Sequence, residues 1–241
     1  MRILLINPNT TPAVTDLVAG HVRALAGPGN TLVPVTGRFG ARYIASRAAA
    51  AIAGHAALDA LAGHVAGCDA VYLACFGDPG LAALREVSPV PVVGMAEAAC
   101  RAASAGGRRF AIVTGGALWG PMLTEFVAGL GLGAHLSGVR TVAPTGGEIA
   151  ADPDAALAGL AAACRTCAEA DGAKVVILGG AALAGLAHRI QPAVPVPVLC
   201  SVEAGTRAVL AAAGEGRPVD AAPTLESTGL SPALAALLAG G

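Results

Sequence analysis

Ala70-Val-Tyr-Leu-Ala-Cys75-Phe-Gly-Asp-Pro-Gly80-Leu81 decides how the rest of the chain is read. Five mostly apolar residues, with the composition of a fully buried strand, run into a cysteine, and a Gly-Asp-Pro-Gly turn and an apolar helix follow. The pattern predicts a strand over Val71 to Cys75 with the cysteine at its C-terminal tip. In an open parallel α/β sheet that tip is where ligands bind, and peptide N–H groups opening the next helix favour an anion and lower a thiol's pKa. A cysteine within an apolar run usually serves as a small core hydrophobe. Its position sets Cys75 apart, and it is expected to react ahead of Cys68, Cys100, Cys164 and Cys167.

Further along, Lys174-Val-Val-Ile-Leu-Gly-Gly180-Ala-Ala-Leu-Ala-Gly185-Leu186 has the same shape, and sliding Cys75 onto Gly180 also lays Gly80-Leu81 over Gly185-Leu186. At nearly the same offset Val90-Pro-Val-Val-Gly-Met-Ala-Glu-Ala98 matches Val196-Pro-Val-Leu-Cys-Ser-Val-Glu-Ala204, and Arg2-Ile-Leu-Leu-Ile-Asn7 matches Arg109-Phe-Ala-Ile-Val-Thr114. A duplicated unit of this size makes a lobe. The expected fold is α/β, with two pseudo-symmetric lobes, each an open parallel sheet flanked by helices, and the active site in the cleft between them. The first lobe takes residues 1–105, the second 106–205, with Gly106-Gly107 as the hinge. Strands are expected at Ile3 to Asn7, Thr31 to Val35, Val71 to Cys75, Val92 to Gly94, Phe110 to Thr114, Val139 to Val142, Val175 to Leu178 and Val198 to Cys200. Pro12 suits a first helical turn with Thr11 as its N-cap, and Glu97 to Ala105 reads as a helix. A loop from Pro223 leads to a short helix over Pro232 to Ala239.

The chain resembles the Asp/Glu/hydantoin racemase superfamily, most closely its hydantoin racemase branch. The resemblance is carried by Ile6-Asn-Pro-Asn-Thr10, Ala74-Cys-Phe-Gly-Asp-Pro-Gly-Leu81, Pro91-Val-Val-Gly-Met-Ala-Glu-Ala98, Gly107-Arg-Arg-Phe-Ala-Ile-Val-Thr114 and Val176-Ile-Leu-Gly-Gly-Ala-Ala-Leu-Ala-Gly-Leu186. It spans nearly the whole chain and implies a cofactor-independent racemase or epimerase, with Cys75 as acid/base and an enolate-type intermediate on a hydantoin or similar small carbonyl or carboxylate compound. It also implies that residues 206–241 return to the first lobe. One position departs from the pattern: where the racemases carry a second catalytic cysteine, this chain has Gly180.

Asn9 and Thr10 follow the first strand, where a carboxamide and a hydroxyl can donate to a substrate oxygen, yet Asn-Pro-Asn-Thr-Thr-Pro is equally good turn chemistry. The residues alone leave the two readings level, and the resemblance tips Asn9 toward the ligand. Thr114 and Gly115 are the matching pair at the second lobe's strand tip. The backbone N–H groups of Phe76 and Gly77 on one side, and of Gly180 and Ala181 on the other, are expected to cradle a developing oxyanion. Trp119 is placed near the ligand by the resemblance, whereas Tyr43 reads as packing. Glu97 and Glu203 read as structural caps at helix starts.

With Gly180 in place, half of a two-thiol racemase is missing. Cys200 or a water is the candidate replacement, and the alternatives are single-thiol decarboxylation as in the related arylmalonate decarboxylases, cis-trans isomerisation as in the related maleate isomerases, or a catalytically silent ligand-binding protein.

Composition excludes other classes. The chain has 241 residues, 55% of them hydrophobic, and a formal net charge of −1. That balance offers no basic footprint for nucleic acid, and no uncharged apolar stretch reaches the ~18 residues of a membrane span. Five histidines, His21, His55, His64, His135 and His188, show neither metal-ligand nor Ser-His-Asp spacing, and Cys164-Arg-Thr-Cys167 lies in an alanine-rich helical stretch without a second pair. No nucleotide-binding glycine loop opens a helix. No metal or cofactor is expected, and the protein is expected to be a cytoplasmic homo-oligomer acting on a small molecule, without nucleic-acid or membrane partners.

Overall fold

The computed structural model of the chain describes residues 1–143, 145–213 and 226–239. Strand and helix alternate through β1 (Arg2–Asn7), α1 (Pro12–Ala26), β2 (Thr31–Thr36), α2 (Arg47–His64), β3 (Ala70–Leu73), α3 (Leu81–Val87), β4 (Val92–Gly94) and α4 (Met95–Ser104). The pattern resumes with β5 (Phe110–Gly115), α5 (Trp119–Gly129), β6 (Leu136–Val142), α6 (Gly146–Ala151), α7 (Pro153–Glu169), β7 (Val175–Leu178), α8 (Leu186–Ile190), β8 (Val198–Cys200) and α9 (Ser201–Ala212), and α10 (Pro232–Leu238) ends it. Two four-stranded sheets result, ordered β2-β1-β3-β4 and β6-β5-β7-β8, with every strand pair parallel. The register repeats too: Ile6 pairs with Leu73 in one sheet as Val113 pairs with Leu178 in the other.

The central strands are buried on both faces, which is why they read as unbroken apolar runs, while the edge strands β2 and β6 are only half-buried. Each of the eight expected strands is present. β3 stops at Leu73, so Cys75 lies two residues beyond the strand in the loop rather than at its last residue, and Gly180 sits two residues beyond β7. β6 starts at Leu136, earlier than expected, with a register irregularity opposite Phe110 and Ala111. Pro12 opens α1 as its composition dictates, but Thr11 makes no side-chain cap; its hydroxyl donates to the Arg42 carbonyl at 2.7 Å. The loop foreseen from Pro223 lies partly outside the described residues.

One core runs through both lobes, joining Tyr72, Met95 and Cys100 to Phe110, Ile112 and Val202. Helix α9 makes that union. It packs along α4 and α1 of the first lobe, and the Tyr72 hydroxyl donates to the Val202 carbonyl at 3.2 Å. Gly205 admits the Tyr72 ring edge, since a Cβ there would overlap the hydroxyl. Helix α10 lies on α2. A second apolar cluster, built from Leu4, Ile6, Leu61, Leu73 and Leu84, fills the outer side of the first sheet. No helix among the described residues is long and apolar enough to cross a membrane.

Candidate active site

The loops leaving the strand ends enclose a cavity between the lobes, with about 40 Å³ of free volume, room for a few waters. From the first lobe it is lined by Asn7, Asn9, Val14, Tyr43, Ile44, Ala74, Cys75 and Phe76, and from the second by Thr114, Trp119, Gly180, Ala181 and Ala182. Seven of the residues expected at the site are therefore brought together: Asn9, Cys75, Phe76, Thr114, Trp119, Gly180 and Ala181. Thr10, Gly77 and Gly115 do not line it. Thr10 gives its N–H to the Ala41 carbonyl at 3.1 Å and so holds the loop that carries Tyr43. Gly77 lies under Trp119, where a Cβ would approach Cζ3 to 2.7 Å. Gly115 ends β5 within the sheet.

The cysteine loop is clamped by the opposite lobe. Trp119, the first residue of α5, covers Gly77, whose φ of 110° suits glycine, and the Phe76 ring lies on Gly179, where a Cβ would overlap it. Cys75 is 8% exposed. The sequence argument for a lowered thiol pKa fails for two reasons. Helix α3 does not begin until Leu81, well past the thiol, and burial, seconded by the charge of Asp78, pushes the Cys75 thiol up. Cys75 rests as a thiol.

Asn9 is held by a relay from behind. Thr36 and Thr15 share a hydrogen bond of 2.6 Å, the Asn7 amide donates to Thr15 at 3.0 Å and to Asn9 Oδ1 at 2.9 Å, and the Thr11 N–H also donates to that oxygen at 2.9 Å. With Oδ1 occupied twice, the amide orientation is fixed and Nδ2 is left to donate into the cavity. Across the cleft, the Gly180 N–H is taken by the Ser201 hydroxyl at 3.2 Å and so is no oxyanion donor, contrary to expectation. The next two N–H groups, of Ala181 and Ala182, meet no acceptor among the described residues, and the same holds for Phe76 and Gly77. The unpaired N–H groups of the second lobe therefore begin one residue later than expected, at Ala181.

Gly180 has φ 140°, and a Cβ there would come within 2.7 Å of Leu183 Cδ1 and 3.9 Å of Thr114 Oγ1. Cys200 is no replacement for the missing thiol: it faces a separate groove with His188 and Glu203, away from Cys75. The polar group that sequence reasoning passed over is Tyr43. Its hydroxyl reaches across to the Gly146 backbone at the start of α6, where glycine leaves it room, and burial, seconded by the neighbouring Cys75, pushes its pKa up to about 12 against the lowering effect of the Gly146 N–H. A lone tyrosine in a Gly/Arg loop carries no local signal of this contact; the clue was the glycine pair Gly146-Gly147 in the opposite lobe.

Contrary to expectation, the glutamates at the starts of α4 and α9 do not cap those helices but are held in ion pairs outside the cavity lining. Burial pushes Glu97 up, but Arg101 and Arg85 outweigh it and hold its carboxyl below the ordinary value, with ion pairs of 2.7 Å to each. Glu203 meets His188 at 2.7 Å. Among the described residues no group of three or more His, Cys, Asp or Glu is placed to hold a metal ion.

The sequence and the fold recur in known proteins. Residues 3–209 match the model of the Asp/Glu/Hydantoin racemase family. Hydantoin racemases from Pseudomonas sp. (strain NS671) and Paenarthrobacter aurescens are 32% and 34% identical over 208 and 211 residues, 86% of this chain in each case and 84% and 89% of theirs. The crystal structure of allantoin racemase from Pseudomonas fluorescens is similar with a TM-score of 0.87 at 29% identity, over 98% of this chain and 96% of that one. The chain belongs to the Asp/Glu/hydantoin racemase family.

Proposed function

We propose that this protein is a cofactor-independent racemase or epimerase acting on a hydantoin-type ring or a comparable small carbonyl compound, with Cys75 moving the proton at the carbon next to the carbonyl. The observation that carries the reading is the cavity itself: one thiol faces free amide donors from both lobes, with no charged side chain among the lining residues. A neutral ring suits such a lining, because a carboxylate placed there would have to be held by N–H groups alone.

Deprotonation of the carbon sends its electron pair onto the carbonyl oxygen. Asn9 Nδ2 and the N–H groups of Ala181 and Ala182 are the donors for that oxyanion, and preorganised donors of this kind typically contribute about 3 kcal/mol each to a barrier. Cys75 acts as base from its thiolate, formed when the resting thiol gives its proton to a cavity water; the thiolate takes the substrate proton, and the thiol so formed returns it to the carbanion. Inversion requires a second carrier on the opposite face, where Gly180 supplies none; the Tyr43 and Thr114 hydroxyls and a cavity water remain for that step. The same vacancy favours a second reading, in which Cys75 alone protonates an enolate formed by decarboxylation of a substituted malonate.

Incubation with enantiopure 5-substituted hydantoins and with substituted malonates in deuterated water separates the readings. Inversion and deuterium uptake by a hydantoin support the first. Release of carbon dioxide from a malonate, with no exchange on any hydantoin, selects the second, and absence of all turnover leaves a ligand-binding protein.

A further inference from the structure

Asp78 lies in the loop that carries Cys75, and neither the chemistry above nor the cavity lining uses it. It is the one non-glycine residue with positive φ among the described residues, at 46°, a conformation that Asp and Asn tolerate best. Its side chain turns away from the cavity onto the start of α4, where the carboxylate accepts the N–H of Ala96 at 2.8 Å and of Glu97 at 2.7 Å. Its own N–H closes a turn on the Cys75 carbonyl at 3.1 Å. Gly94 is the reason it fits, since a Cβ at that position would overlap the carboxylate. The residue is 4% exposed.

The second lobe lacks this device. Sliding Cys75 onto Gly180 puts Leu183 at the place of Asp78, and α9, the counterpart of α4, begins without a side-chain cap. Among the described residues, only the loop with the thiol sends a carboxylate onto the first turn of the helix that follows the next strand.

We propose that Asp78 is the positioning residue of the Cys75 loop: seated on the first turn of α4, its carboxylate fixes the turn from Cys75 to Asp78 and sets a negative charge behind the thiol. The role rests on Cys75 being the proton carrier, but its test needs no substrate. Charge reaches the thiol because both groups are buried, Asp78 at 4% and Cys75 at 8% exposure. The titratable groups facing the carboxyl are Cys75 in the same loop, Tyr72 from β3, Arg85 from α3, and Glu97 and Cys100 from α4. Arg85 is paired to Glu97 and also acts on the Asp78 carboxyl, lowering its pKa by less than burial raises it. Burial, against the two N–H bonds, brings the Asp78 carboxyl to about 7, so it carries its charge over the alkaline range in which a buried thiol ionises.

Iodoacetamide labelling of the full-length protein, mapped by mass spectrometry from pH 6 to 10, tests this directly, with Cys68 as internal reference because it does not face Asp78. Asp78→Asn keeps the size and the left-handed backbone and removes the charge, with Oδ1 left to accept one of the two N–H groups while the amide NH2 meets the other. The expected result is a Cys75 labelling curve displaced to lower pH by about one unit or more, a tenfold gain in rate at fixed pH on its rising limb, with Cys68 unchanged. Asp78→Ser, too short to reach the two N–H groups as the carboxylate does, should displace the curve likewise and also speed labelling at every pH by loosening the turn. A Cys75 curve that stays in place in either folded variant overturns the proposal, and so does an equal rise at Cys68, which would mean general loosening. Failure of every substrate with wild-type protein would count against the proposed function and leave this result intact.

Discussion

A thiol two residues past a strand end was legible in the sequence as a reactive position because parallel sheets present their ligands there; its protonation state was not, since burial outweighed the distant helix terminus. Asn9, Thr114 and Gly180 were legible for the same reason. Asp78 and Tyr43 were not, because what gives them a role is contact with residues far along the chain. The Asp78 carboxylate bonds to residues 18 and 19 positions away, and Tyr43 meets the other lobe. Asp78 carries its own stability signature. A carboxyl brought from 3.8 to about 7 keeps a proton in the folded state that the unfolded chain has released, so its contribution falls as pH rises through that window. The carboxylates held low, Asp59, Glu97 and Asp171, lose their stabilisation only below about pH 4 and do not interfere. Urea unfolding should therefore show wild type losing stability relative to Asp78→Asn between pH 5 and pH 7; a constant difference would refute the assignment. A cysteine is not simply accommodated opposite Cys75. Gly180→Cys forces a side chain onto φ 140° and against Leu183, at a cost of ~1–3 kcal/mol, and is expected to lower the urea midpoint.

The elements that shape the cleft are two loops, each held by a glycine in the other lobe. Their strand and helix neighbours followed from apolar runs and Gly/Pro punctuation, whereas the loops' contacts depend on where side chains are absent. Gly179→Ala places a methyl into the Phe76 ring. The ring has to leave its seat beside Cys75, and a loss of ~1–3 kcal/mol in urea unfolding is expected, together with faster labelling of Cys75. Gly146→Ala acts on the opposite wall by displacing the Tyr43 hydroxyl from the start of α6. On a substrate that the wild type turns over, kcat/KM should drop roughly tenfold or more, the scale of one lost proton-transfer or hydrogen-bonding group. Tyr43→Phe should reproduce that drop without the steric change; an active Tyr43→Phe variant would reduce the tyrosine to packing.

At the scale of the molecule, internal duplication fixed the paired sheets in advance, down to their matching register. Helix α9 was harder to place, because an alanine-rich amphipathic stretch does not say which lobe it covers, and its clasp on Tyr72 depends on one missing Cβ at Gly205. A core shared across both lobes predicts that they unfold together, in one transition seen alike by far-ultraviolet circular dichroism and by Trp119 fluorescence; two separated transitions would mean independent lobes. The proposed function rests on the asymmetry laid over this symmetric frame: at the cavity one lobe brings the thiol, and the other brings Thr114, Trp119 and backbone N–H groups. The most direct test is to follow a single enantiomer of a turned-over hydantoin in deuterated water, measuring deuterium in the remaining starting enantiomer alongside formation of its mirror image, for wild type and Cys75→Ser. With one thiol on one face, deuterium should enter the starting enantiomer faster than inversion proceeds, and Cys75→Ser should lose both. Inversion as fast as exchange, with the starting enantiomer unlabelled, would contradict the account by showing that a second acid/base as effective as Cys75 already works from the opposite face.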